Sequence, residues 1–152
     1  MQNAHADPNM LKQLWWLQDS YWHATMIREF GEDEANRLNL HANELFFRKL
    51  TLMLLRSKTI QRPRNIQDLM EIARHIWRIS FFDDLYINDP ITYEGNMAIW
   101  RGSKCHANDS LASAKMSDNY SCGCQAVRNG VMKALKLKPL HTIEKSLIRG
   151  DG

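Results

Sequence analysis

Through the first half of the chain apolar residues recur every three or four positions, a spacing that predicts helices. From Met10 to Phe30, Leu11, Leu14, Trp15, Trp22 and Met26 mark one stripe, with Gln18 its one polar interruption. Gly31 ends this helix in the manner of a left-handed cap. Glu32, Asp33 and Glu34 then put negative charge on the first turn of a second helix, where the macrodipole favours it. In that helix Ala35, Leu38, Ala42, Leu45 and Leu52 keep a near-heptad seam, widened by Phe46, Leu50 and Met53. Pro63 stops the pattern. Asn65 caps a third helix, with Asp68 three residues on, and Ile66, Leu69, Ile72, Ala73 and Ile76 form its buried face.

Near Trp77 the period changes. In ITYEGNMAIWR, Ile91, Tyr93, Met97 and Ile99 alternate with more polar or smaller residues, the pattern of a half-buried strand. The preceding ISFFDDLYI is aromatic and β-branched, which makes it the expected hairpin partner across Asn88-Asp89-Pro90. Helical residues return in a short piece, Ala107 to Met116, and in a clearer one from about Cys122 to Leu137, closed by Pro139. LHTIEKSLI reads as a last strand. The order ααα-ββ-αα-β defines an α+β domain rather than a wound parallel sheet. That last strand runs into Arg149-Gly150-Asp151-Gly152, a turn signal with no second strand after it, so a final C-terminal strand is expected to be missing.

With 152 residues, 44% hydrophobic and 24% charged, the chain suits one domain spanning 1–152, with residues 1–8 frayed. Four prolines and seven glycines leave no long linker. The polar start MQNAHADPN lacks the form of a signal peptide. The longest apolar run, Leu50 to Leu55, is too short to span a bilayer. An odd cysteine count without a disulfide framework adds to a cytoplasmic expectation with reduced thiols. The formal net charge of +3 says little about partners. Basic residues do cluster from Arg56 to Arg64 and from Arg128 to Arg149, as phosphate-binding stripes can. No helix-turn-helix, finger or RNP pattern accompanies them, so nucleic-acid binding ranks third among the readings.

The chemistry-bearing residues gather late. Cys105, Cys122 and Cys124 lie within twenty residues of one another, and none precedes them. With His106 they supply three or four soft ligands for zinc or iron, although Cys122-Gly123-Cys124 matches no zinc-ribbon spacing. Two other readings stand beside this one. Cys122 and Cys124 begin a helix, where the dipole lowers a thiol pKa, or Cys122 simply packs as a small apolar residue. Trp22, His23, Trp100 and Arg101 each pair an amphipathic ring with a polar neighbour, as the lining of a small-molecule pocket does. No nucleophile elbow, phosphate loop or dinucleotide fingerprint is present.

LWWLQDSYWHATMIREFGEDEAN, IWRGSKCHAN and HTIEKSLIRGDG together resemble a cytosolic family near the aminothiazoline-carboxylate hydrolase-like proteins. More remotely they resemble the 4-vinyl-reductase-type small-molecule-binding domains. The resemblance rests on Trp22 with Glu29-Phe30-Gly31, on Cys105 after the central strand and on Cys122 beyond it. His23 and the additional Cys124 depart from the pattern. It implies helices ahead of a small antiparallel sheet, with a ligand pocket between them, and carries over no catalytic residue. The expected function is thus small-molecule binding or metal sensing. The alternative is a thiol-dependent or metal-assisted hydrolase of a cyclic amide or amidine. There Cys105 or Cys122 would serve as nucleophile or ligand and His106 or His23 as base. The expected partners are a small molecule and, after it, a second copy of the chain.

Overall fold

The computed structural model describes residues 7–81, 90–101 and 120–138. Helix α1, Pro8–Phe30, starts where Asp7 accepts the Asn9 N–H at 3.0 Å and proline occupies the first helical turn. Gly31 is the whole connection to α2, Glu32–Arg56. Its φ of 80° and ψ of 168° lie in an extended region open essentially to glycine, rather than in the left-handed helical region expected of a cap. The Gly31 N–H still closes α1 by donating to the Ile27 carbonyl at 2.9 Å. Helix α3, Ile66–Ser80, is capped as expected by the Asn65 side chain, which accepts the Asp68 N–H at 2.7 Å.

The sheet is a single hairpin, β1 (Ile91–Glu94) and β2 (Met97–Trp100), paired antiparallel from Ile91 opposite Trp100 to Glu94 opposite Met97. The expected long strand is therefore two short ones. A two-residue turn at Gly95-Asn96, with Gly95 at φ 58°, folds it back on itself. Of the segment expected to pair with it, Ile79 and Ser80 finish α3 and Phe81 follows, while 82–89 lie outside the described residues. Helix α4 runs Cys124–Leu135 and ends at Lys136, whose φ of 60° is left-handed. Helices ahead of a small antiparallel sheet, then a further helix, make this an α+β fold. The expected piece at 107–116 and the last strand from Leu140 lie outside the described residues.

The core joins Phe47 of α2, Leu69, Ile72, Ile76 and Trp77 of α3, and Val127, Val131 and Leu135 of α4. Trp100 of β2 packs against it. The face of α3 is the one its pattern predicts. Those of α1 and α2 match only in part, with Ala35 buried and Leu50 packed on the core as expected. On α1, Leu11, Leu14, Leu17, Tyr21 and Trp22 are exposed and only His23 is buried. On α2, Leu45, Phe46 and Met53 are exposed, while Phe47 and Thr51 are fully buried. On α2 the cause is α4, which lies close along it on the Glu44–Phe47–Arg48 side. A Cβ at Gly130 would collide with the Glu44 carbonyl and stand 2.9 Å from the Arg48 nitrogen. Lys133 of α4 pairs with Glu44 beside this contact. Thr51 is tolerated in the core because its hydroxyl donates to the Phe47 carbonyl at 2.7 Å.

Candidate functional site

Helical spacing puts Trp15, Gln18, Asp19 and Trp22 on one face of α1, and together they line an open depression of about 340 Å³. Its Trp15 wall is fixed from behind. Trp15 meets Trp16 edge-on at 4.9 Å between centroids and stacks on Phe46 of α2 at 5.2 Å. Trp16 in turn donates its indole N–H to the Ser80 carbonyl at 3.2 Å. Lys12 reaches the Arg78 and Phe81 carbonyls at 2.9 and 3.0 Å. A cation on the last carbonyls of α3 both satisfies them and complements the helix dipole, so the first half of α1 is tied to the core. The opposite wall, Trp22, is 63% exposed.

Asp19 lies between the two indoles. Burial raises its carboxyl above the usual range, and His23, one turn on, opposes that rise. Asp19 makes no hydrogen bond or ion pair with any described residue. His23 points inward, 4% exposed, with its ring edge-on to Tyr120 at 5.4 Å. Neither of its ring nitrogens has a hydrogen-bond partner among the described residues. Burial lowers its pKa, with Asp19 pulling the other way, so the imidazole is held neutral.

Behind His23 the interior is polar. Asn36, Asn39 and Asn43 follow one side of α2 at helical spacing. Asn36 accepts the Ser121 N–H at 2.9 Å, and Asn43 donates to the Asn39 carbonyl and side-chain oxygens at 3.0 and 3.1 Å. Tyr120 closes this layer. Burial pushes its phenol well above its ordinary pKa, Cys124 and Cys122 add to the rise, and the Asn39 side chain opposes it. The phenol therefore stays protonated.

The residues singled out in the sequence go to different places. Trp22 is on the rim of the depression and His23 is behind it. Trp100, by contrast, meets Trp77 of α3 edge-on at 5.7 Å and lies beneath the Arg128 guanidinium at 5.9 Å. It is not among the residues lining the depression. Arg101 follows β2 and is exposed. Cys122 and Cys124 are half-buried at the start of α4. Cys105 and His106 lie outside the described residues. Among the described residues no group of three or more His, Cys, Asp or Glu side chains is placed to hold a metal ion. Reading the sequence missed Asp19, Tyr120 and the three asparagines. The Asp19–His23 spacing of one helical turn and the asparagine period on α2 were the signals available.

Compared with protein-family models, curated proteins and solved structures, the chain matches none. No described helix is long and apolar enough to cross a membrane.

Proposed function

We propose that this protein is a small-molecule-binding domain whose ligand occupies the depression on α1. The observation that supports this best is Asp19, a desolvated carboxylate without a partner among the described residues, set between two tryptophans. Burial disfavours the charged form of such a group, and among the described residues only the smaller opposing pull of His23 offsets that cost. A bound polar ligand would repay it. Aromatic walls with a few placed polar groups are the ordinary chemistry of a ligand site.

A fragment screen read by tryptophan fluorescence and thermal shift tests the reading. Fragments that quench fluorescence and raise Tm should lose both effects in Trp22→Ala. Hits indifferent to Trp22→Ala and Asp19→Asn, or no hits at all, would remove the depression as a ligand site.

A further inference from the structure

We propose that the ligand of this depression is a small organic cation, its alkylammonium or quaternary ammonium head seated between the Trp15 and Trp22 indoles and over the Asp19 carboxylate. The proposal rests on the depression being a ligand site and specifies what that site selects.

Three features of the lining favour a cation. The first is the pairing of indoles. Residues seven apart on a helix are about 10 Å apart along its axis, room for one compact head group between two rings. Indole is the strongest aromatic partner for a cation, through the negative face of its π-system. The second is the charge between the rings. Asp19 has no described counter-ion, and His23, the titratable neighbour that shifts it, is itself kept neutral by burial. The other ionisable groups behind it, Tyr120, Cys122 and Cys124, offer no positive charge. An anion would be repelled, and a neutral apolar ligand would cover the carboxylate without pairing it. The third is preorganisation. Trp15 is already held by Trp16 and Phe46, so the fixed wall loses little freedom when a ligand arrives. Gln18, on the same face, can hydrogen-bond a hydroxyl or carbonyl substituent carried by the cation.

The full chain should be titrated with choline and with its carbon isostere, in which a tert-butyl group replaces the trimethylammonium head, by tryptophan fluorescence and calorimetry. Choline is expected to quench fluorescence with a Kd on the order of 1 mM or tighter, and the isostere to bind at least about tenfold more weakly. Asp19→Asn should weaken choline by about tenfold and leave the isostere unchanged, while Trp22→Ala, on an exposed side chain, should weaken both. Equal binding of choline and isostere, or choline binding unchanged in Asp19→Asn, would overturn the cation and leave a hydrophobic ligand site standing. Absence of quenching by choline, alongside fragments that do bind at Trp22, would overturn the cation alone. If no fragment binds there either, the ligand site itself fails.

Discussion

Asp19 and His23 are one turn apart on α1, and each opposes the change that burial imposes on the other. Burial disfavours the charged form of each, and the attraction between the two charged forms opposes both shifts. The folded state therefore resists charging either of them, in two separate pH ranges.

For His23 the folded pKa is below the unfolded value of 6.5. Its contribution to stability is thus fully present above that value and is lost as pH falls through the folded pKa. His23→Phe should flatten this part of the acid limb, with Tyr120 still covering the ring. Urea denaturation at a series of pH values checks it. A wild-type profile in this range that His23→Phe leaves unchanged would contradict the placement of the imidazole.

For Asp19 the sign is reversed. Its folded pKa is above 3.8, so its contribution is present below that value and is lost as pH rises through the folded pKa. Asp19→Asn should consequently match or exceed the wild-type Tm at neutral pH, with the advantage vanishing in acid. A lower Tm at neutral pH would mean that the carboxylate is paired in the fold.

Phe46 and Phe47 separate packing from site. Phe47 is fully buried in the core, and Phe47→Ala should cost about 3–5 kcal/mol in denaturant unfolding. Phe46 is 44% exposed and stacks behind Trp15. Phe46→Ala should cost about 1 kcal/mol, nearer the ordinary cost of a single substitution, yet alter the tryptophan emission that reports the depression.

Gly130 and Gly31 separate collision from strain. Gly130→Ala drives a methyl group into the α2 backbone and should cost about 3 kcal/mol or slightly more, at the upper end for overpacking, or splay α4 from α2. At Gly31 no atom lies within 4 Å of a built Cβ. Gly31→Ala should therefore cost only the backbone term of about 1–3 kcal/mol. Equal m-values with different midpoints would confirm that both variants keep the fold.

How far the sequence reveals this molecule differs from helix to helix, for a physical reason. Helix α3 buries one face and carries apolar residues on that face almost alone, so its pattern and its cap can be read directly. Helix α1 has apolar residues around its circumference, and periodicity cannot say which of them meet α2. On α2 the Phe46–Phe47 pair offers two adjacent directions, and the choice between them is made by Gly130, far along the chain. The hairpin was hidden because alternation continues across Gly95-Asn96, although that dipeptide is itself a turn signal. In the candidate site Trp22 was visible as an amphipathic ring beside a polar residue. Asp19 was not, since a single carboxylate in mid-helix has the look of a solvated one until Tyr120 and α2 desolvate its neighbourhood.

The close approach of α4 to α2 has a kinetic consequence. Contacts of α4 and of the residues leading into it join positions 85 and 89 apart, Ser121 to Asn36 and Lys133 to Glu44, whereas α1 and α2 are linked by one glycine. Loop-closure entropy is lowest for the hairpin and highest for the docking of α4. The α1–α2 hairpin, with both indoles and Asp19, is thus complete in sequence long before α4 has been synthesised. Docking of the segment that begins at Tyr120, whose ring meets His23 edge-on, is therefore expected to follow the α1–α2 hairpin, with burial of His23 completed at that step.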